Sequence, residues 1–186
     1  MAELVLDTAT VAAFQRTGRL AQLKAAAAPA FLLVDVVHRE LTRHPNEHCA
    51  AIQAAVLDGW LKVEALAGTF APSVIEVTAD GRTFGRKIDA GEAASIVWCE
   101  QRSAAVFVSP DLGALFSAFK HLYGEHARVL SFYGFVRRLA DAGHLSSPDV
   151  RALINYADQK GSMRPLWWNT WLGHLGPSAT VPASNP

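Results

Sequence analysis

The sequence has no long hydrophobic run, only two cysteines and no signal-peptide features at its start. None of its apolar stretches reaches the roughly 18–20 residues that a membrane-spanning helix requires, so we expect no membrane span. Cys49 and Cys99 are isolated and lack a CxxC spacing. A single disulfide between them is one alternative, but the pattern favours a reduced cytoplasmic protein. The first residues lead straight into an apolar stretch without a basic segment or a cleavage site, which also favours the cytoplasm.

The chain also lacks net charge and several familiar site motifs. Its 17 basic residues balance 17 acidic residues, so a nucleic-acid role requires a local basic patch. No Gly-x-Ser-x-Gly sequence is present, which argues against a hydrolase triad. The glycines at positions 81 and 85 lack the strand–helix context of a dinucleotide-binding loop. One stretch holds several imidazole and thiol groups: His38, His44, His48 and Cys49. The sequence argues against a zinc site there, because the spacing is unusual and Pro45 interrupts the helical pattern.

What is present indicates an α/β protein. With 186 residues, 51% of them hydrophobic, the chain can bury the core of one domain. Apolar runs typical of strands are predicted at residues 4–6, 31–34, 60–64 (as an edge strand), 104–108 and 129–130. Helical spacing is predicted at residues 10–23, 36–41, 47–57, 91–101, 111–122, 132–142 and 148–160. This alternation predicts three α/β/α layers around a central, mainly parallel sheet.

Three segments fall outside that alternation. Residues 67–87 resist assignment, although residues 74–78 alternate as a strand does and Asp80-Gly81 predicts a turn. Residues 1–160 are therefore predicted to form the domain, 161–175 an aromatic segment, and 176–186 a disordered tail. The aromatic segment carries an apolar stripe: Leu166, Trp167, Trp168, Trp171 and Leu172. It is predicted either to pack against the domain or to form a dimer or partner surface.

Four short acidic stretches stand out in the first two thirds of the chain. Asp7, Glu92 and Asp111 lie just after strand-like runs or at the opening of helix-like runs, whereas Glu40 lies within a helix-like run. In an open parallel sheet such positions share the carboxyl edge of the strands, where these sheets place their active sites. Crowded carboxylates repel one another unless a hard cation such as Mg²⁺ or Mn²⁺ binds them. The pattern predicts metal-dependent phosphodiester chemistry.

Each acid also has a purely structural interpretation. Asp89 and Glu92 have the spacing of a helix capping box. Asp111 is placed for the first turn of a helix that Ser109 would cap, and Asp7 for the start of another helix. Glu40 fits a solvated helix face beside Arg43 or His44. Joint occurrence of the four acids in one order favours the metal site.

The order of the elements and the four acidic stretches resembles the PIN domain, the metal-dependent nuclease fold of VapC-type toxins. The resembling segments are residues 6–8, 37–41, 90–96 and 108–111, with a distal helix pair at 133–136 and 142–145. The likeness covers residues 4–154. It departs from the family at Pro110, where members often carry an acid, and at Val34, where members often carry proline.

The resemblance implies an endoribonuclease whose catalytic residues are Asp7, Glu40, Glu92 and Asp111. Of these, Asp7, Glu92 and Asp111 would hold one or two Mg²⁺ or Mn²⁺ ions, with Glu40 completing the site. Thr8 and Ser109 are predicted to orient the carboxylates or a phosphate, or simply to cap helices.

The resemblance also implies partners. RNA is the expected substrate, and the basic cluster Arg82, Arg86 and Lys87 is predicted either to contact its phosphates or to be a solvated loop. An antitoxin protein is the expected inhibitor, and a homodimer is a further expectation. Pro110 keeps open an alternative, a PIN-like binding or scaffold module that does not cleave.

Overall fold

The computed structural model describes residues 3–27, 31–43, 47–83, 88–122, 128–162, 165–166 and 168–174, without the side chains of residues 47, 48, 80–83, 168, 172 and 174. Within these ranges the chain forms a three-layer α/β/α fold around a five-stranded, all-parallel sheet. The strands are β1 (Glu3–Leu6), β2 (Phe31–Val34), β3 (Leu61–Glu64), β4 (Ala105–Ser109) and β5 (Val129–Ser131). The predicted fold class is confirmed.

The strand order is β3-β2-β1-β4-β5, which places β1 at the centre and β3 at an edge, as predicted. β1 pairs with β4 along its whole length, from Glu3 opposite Ala105 to Leu6 opposite Val108. The chain therefore leaves β1 towards one side of the sheet, through β2 and β3, and returns to β4 on the other side.

Helices cover both faces of the sheet. They are α1 (Thr8–Arg16), α2 (Leu20–Ala25), α3 (Asp35–Thr42), α4 (Glu47–Leu57), α5 (Ala71–Thr83), α6 (Ala90–Glu100), α7 (Leu112–His121), α8 (Phe132–Asp141), α9 (Ser147–Gln159) and α10 (Trp168–His174). Side chains alternate between the faces of a strand, so Leu6 joins one core cluster and Val5 the other. Helices α1, α8 and α9 pack on the Leu6 face, and α6 and α7 pack on the Val5 face.

The single helix predicted over residues 10–23 is wrong, because the chain forms two helices there. Gly18 has a φ of 72°, a left-handed conformation that ends α1. The turn is closed by the Gly18 N–H, which donates to the Gln15 carbonyl at 3.0 Å, and by the Arg19 N–H, which donates to the Phe14 carbonyl at 2.7 Å. The apolar residues keep a helical spacing on both sides of Gly18, so the spacing alone did not reveal the turn between the two helices.

The strand-like pattern of residues 74–78 is also wrong, because these residues and the predicted Asp80-Gly81 turn all lie within α5. Val77 is buried against the second core cluster and Val74 packs beside it, whereas Ile75 is 70% exposed. Residues three apart share a helix face, so this short alternation also satisfied a helix.

The C-terminal aromatic segment contributes to the core through Trp171. Its ring is 8% exposed and belongs to the cluster on the Leu6 face. The Arg137 guanidinium lies 5.8 Å from the centre of that ring. Trp167 and the predicted disordered tail lie outside the described residues, and Leu166 is fully exposed. No helix in the described part of the chain has the length and hydropathy of a membrane span.

Candidate active site

The strand order creates one crevice at the carboxyl edge of the sheet, between β1 and β4. The chain's path reverses direction there, and open α/β sheets bind ligands at such a point. Asp7 follows the last residue of β1, Ser109 is the last residue of β4, and Asp111 comes two residues later. The topology thus brings the first and fourth acidic stretches to the same crevice, as the sequence predicted.

Asp7 is a buried carboxylate, 1% exposed, held on both of its oxygens. Its Oδ1 accepts the Thr10 N–H at 2.6 Å, which makes Asp7 the N-cap of α1. Its Oδ2 accepts the Ser109 hydroxyl at 2.6 Å, and the Ser109 oxygen in turn accepts the Asp111 N–H at 3.0 Å. Ser109 therefore joins the two acidic stretches in the way predicted for an orienting residue.

Glu40 reaches the crevice from α3. The Thr8 hydroxyl donates to Glu40 Oε2, and a backbone hydrogen bond from Gly91 reaches the same carboxylate. A Cβ at position 91 would lie only 2.8 Å from Glu40 Oε2 and 3.0 Å from Oε1, so this close approach requires glycine. Glu40 is an exposed residue of α3, in agreement with the structural interpretation, but its carboxylate contacts the start of both α1 and α6.

Glu92 and Asp111 both take part in helix caps, as the structural interpretation predicted, but the N-cap of α7 is not the residue that it named. Glu92 Oε2 accepts the Asp89 N–H at 3.1 Å, and Asp89 Oδ1 accepts the Glu92 N–H at 2.8 Å, a complete capping box. The N-cap of α7 is Asp111 rather than Ser109, since Asp111 Oδ1 accepts the Ala114 N–H at 2.9 Å. Capping fixes these carboxylates at the crevice, so the structural and functional interpretations do not compete.

The carboxylates disturb one another electrostatically. Burial, opposed by bonds from Ser109 and Thr10, raises the pKa of Asp7 to about 6. Burial, together with the charges of Asp89, Asp7 and Asp111, raises the pKa of Glu92 to about 8. Burial and the charge of Asp89 also raise the pKa of Glu40. Negative charge is therefore costly at this crevice.

No Lys or Arg within the described ranges forms an ion pair with any of these carboxylates. The donors are all hard oxygens, which suits Mg²⁺ or Mn²⁺. Among the described side chains, no three acidic, His or Cys groups converge closely enough to hold one ion. Mg²⁺ usually takes only one or two protein carboxylates and completes its shell with water and substrate phosphate, so the donor set still fits it.

A cleft of about 200 Å³ opens beside these residues, and we call it the acidic cleft. Its walls come from four places in the chain: Ala9 of α1, Glu92 of α6, residues 110–112 before and within α7, and residues 160–162 after α9. Lys160 is the cation in this lining. The lining of the acidic cleft therefore combines two acidic residues, Glu92 and Asp111, with the basic residue Lys160, whereas Asp7 and Glu40 are not part of it.

The structure describes some of the predicted site residues and not others. Asp7, Glu92 and Asp111 are electrostatically coupled, and Glu40 contacts Gly91 beside Glu92. Of the predicted RNA-binding cations, Arg86 and Lys87 lie outside the described residues, as does the side chain of Arg82.

Sequence reasoning missed three contributors. Asp89 was treated only as a cap, although its charge acts on Asp7, Glu40 and Glu92. A glycine in the first turn of a helix, as at Gly91, was the available signal for a close approach. Nothing in the sequence pointed to Lys160, because only the tertiary fold brings the end of α9 to the crevice.

Comparison with known proteins gave no relative from which to assign a family. No protein-family model matches the sequence, and searches of curated proteins and of solved structures found no significant match.

Proposed function

We propose that this protein is a Mg²⁺- or Mn²⁺-dependent endoribonuclease of the PIN type. The observation that supports this most is a set of electrostatically coupled carboxylates where the strand order reverses in a parallel sheet: Asp7 is buried, Glu92 and Asp111 are partly buried, and no Lys or Arg of the described residues forms an ion pair with them. Such groups would be stabilised by a bound divalent cation, which also supplies phosphate polarisation and a bound water of lowered pKa. The resemblance in the order of the acidic stretches supplies the substrate class, RNA.

The chain's own residues have distinct roles in this proposal. Asp7 offers the lone pairs that its bonds to Thr10 and Ser109 leave unused, since a carboxylate has about four acceptor positions. Ser109 fixes the orientation of Asp7, and Thr8 fixes that of Glu40. Asp7, Glu92 and Asp111 would hold the metal. Lys160 would oppose the charge of a phosphate entering the acidic cleft.

A second candidate is a PIN-like module that binds RNA or a protein without cleaving it. It is favoured by the absence of any three converging ligand groups within the described ranges, and by Pro110 at a position where an acid is expected. The assay below separates the two candidates, because only the first requires metal-dependent product formation.

The same resemblance supports proposals about partners. An antitoxin protein would inhibit the enzyme, and a homodimer would form through the aromatic segment of residues 161–175. Trp171 is already packed within its own chain, whereas Leu166 is a large hydrophobic side chain of the segment that is fully exposed and so open to a partner.

The test is cleavage of end-labelled RNA by the purified full chain with Mn²⁺. We expect cleavage that EDTA stops, and a loss of about 100-fold or more in Asp7→Asn and in Glu92→Gln, since even partners beyond the metal ligands cost about 10–100-fold. Asparagine still caps a helix, so Asp7→Asn isolates the loss of charge.

Asp58→Asn is the matched control, because it removes an exposed carboxylate that pairs with Lys24 far from the cleft. Equal cutting by the wild type and both site variants would identify a contaminating nuclease and end the enzyme proposal. RNA binding without any cutting would support the second candidate.

A further inference from the structure

A second cavity, of about 170 Å³, adjoins the acidic cleft. The two share four lining residues: Ala9, Pro110, Lys160 and Ser162. The rest of its lining is apolar or aromatic: Ala13, Phe132, Tyr156 and Ala157. We call this cavity the aromatic pocket. Because the two cavities share these four residues, a single ligand can contact both linings.

The wall between the two cavities is held in place by the end of α9. Gly161 has a φ of 78°, its N–H donates to the Asp158 carbonyl at 2.9 Å, and the Ser162 N–H donates to the Ala157 carbonyl at 3.1 Å. These bonds form a Schellman motif. The buried Tyr133 adds a cross-link, since its hydroxyl bonds Asp158 Oδ1 at 2.8 Å and the Ser162 carbonyl at 3.2 Å. The wall is preorganised, which lowers the entropic cost of binding.

The aromatic pocket is too small for a whole ligand. Pockets that enclose drug-sized molecules measure roughly 300–1,000 Å³, so about 170 Å³ suits one flat part of a larger molecule. The rest of that molecule would lie in the acidic cleft, where Lys160 favours an anion.

The lining also specifies the chemistry of that flat part. The half-buried Tyr156 presents an aromatic ring, and the Lys160 ammonium lies 5.8 Å from the centre of this ring. A planar aromatic group and an adjoining anion can therefore be bound by neighbouring residues. A nucleotide combines these two features.

We propose that the aromatic pocket binds one unpaired nucleobase of a single-stranded nucleic acid, while Lys160 contacts the adjoining phosphate. Bases within a duplex are stacked and paired, whereas unpaired bases stack on aromatic side chains. The proposal rests on the proposed function only in taking RNA as the natural strand. Such a pocket would make the proposed enzyme selective for RNA loops or single strands.

The test measures binding in EDTA, so that it does not depend on cleavage. The probe is a fluorescent single-stranded RNA octamer, compared by anisotropy with octamers in which one nucleotide is abasic. We expect the abasic probe with the best-placed gap to bind wild-type protein about 5- to 150-fold more weakly, the range for loss of one base–aromatic stack. Equal affinities for the intact octamer and for every abasic octamer would overturn the proposal.

Two variants, each with a matched control variant, locate the effect. Tyr156→Leu keeps an apolar side chain and should bind intact and abasic probes alike, whereas Phe116→Leu, on a half-exposed ring outside the pocket, should retain the difference. Lys160→Ala should make the slope of log Kd against log salt shallower by about 0.7, the value for one contact to a single strand. Lys62→Ala, on the edge strand β3, should leave it unchanged.

These experiments distinguish a failure of the pocket proposal from a failure of the nuclease proposal. Metal-dependent cleavage with an unchanged Tyr156→Leu profile would overturn the pocket and leave the nuclease. A selective loss in Tyr156→Leu without metal-dependent cleavage would support the pocket and favour the non-cleaving module. Tyr156→Phe should bind as the wild type does, and a loss there equal to that of Tyr156→Leu would contradict stacking.

Discussion

At the scale of single residues, the carboxylates proposed for the chemistry also cap helices. Asp7 caps α1 and Asp111 caps α7, while Glu92 completes the capping box of α6. Loss of a cap costs about 0.5–2 kcal/mol. We therefore expect an alanine at any of these positions to remove a cap as well as a carboxylate, so that amide substitutions are the better test of the proposed chemistry.

Gly91 provides a test of position without a change of charge. In Gly91→Ala the new Cβ would displace the Glu40 carboxylate, whose nearest atom would lie at 2.8 Å. The end of a flexible side chain can move, and alanine gains up to about 1 kcal/mol of helix propensity, so we expect a Tm within about 4 °C of wild type. Metal-dependent cleavage should fall about 10–100-fold, because Glu40 loses its orientation.

Gly68→Ala serves as the control, because a Cβ at position 68 meets no atom within 4 Å. Full activity of Gly91→Ala, measured by initial rates at saturating Mn²⁺, would show that the place of Glu40 against α6 has no part in the reaction.

At the scale of secondary-structure elements, sequence patterns predicted every strand within about a residue. Each strand is an apolar run bounded by turn residues or helix starts, which is a local signal. The failures came where two local rules conflicted. Gly18 broke a continuing helical spacing, and the alternation at 74–78 was too short to separate a strand from a helix.

The candidate site was predictable only in part, and for a different reason: some of its residues are brought together only by tertiary packing. Asp7, Glu92 and Asp111 follow or open elements, and the carboxyl-edge rule places such positions together. Residues 160–162 reach the acidic cleft because α9 packs against α1, and no local pattern carries that information.

The turn that ends α9 can be tested against an identical turn elsewhere. Gly161 and Gly143 have φ values of 78° and 80°, and each ends a helix, but only Gly161 lines the acidic cleft. We expect alanine at either position to cost about 1–2 kcal/mol, measured by urea unfolding, because the left-handed conformation disfavours a Cβ. Only Gly161→Ala should also weaken binding of the RNA octamer.

An equal effect of both glycine variants on binding would mean that overall stability, rather than the wall of the cleft, controls affinity. Gly161→Asn should recover part of both losses, since asparagine tolerates this conformation better than other residues with a Cβ.

At the scale of the whole molecule, the carboxyl groups with raised pKa values link stability to pH. The pKa values of Asp7 and Glu92 in the folded chain, about 6 and about 8, exceed their ordinary values of 3.8 and 4.5. Between about pH 4 and pH 8 the folded chain therefore holds protons that the unfolded chain has released. Stability falls as pH rises whenever the folded state binds more protons.

We expect the Tm of the metal-free protein to decrease from pH 5 to pH 8, by about 2–4 °C for each kcal/mol lost. Glu92→Gln should flatten this dependence, because it removes the group with the highest of these pKa values. Parallel Tm profiles for wild type and Glu92→Gln would contradict the assigned electrostatics.

The increase in Tm caused by added Mn²⁺ should have the opposite pH dependence, because the metal competes with protons for the same oxygens. Its Tm gain should grow with pH and disappear in Asp7→Asn. A wild-type Tm that millimolar Mn²⁺ leaves unchanged at pH 8 would contradict a metal site at this crevice.

The strand order also has a consequence for biosynthesis. Asp7 emerges from the ribosome early, but its partner Ser109 belongs to β4, and the cleft wall at residues 160–162 comes later still. At about 5–20 residues per second, the gap between the first and last wall is on the order of ten seconds. A nascent chain therefore has no complete cleft until residues 160–162 have been translated, so any chemistry that needs the whole cleft has to wait until then.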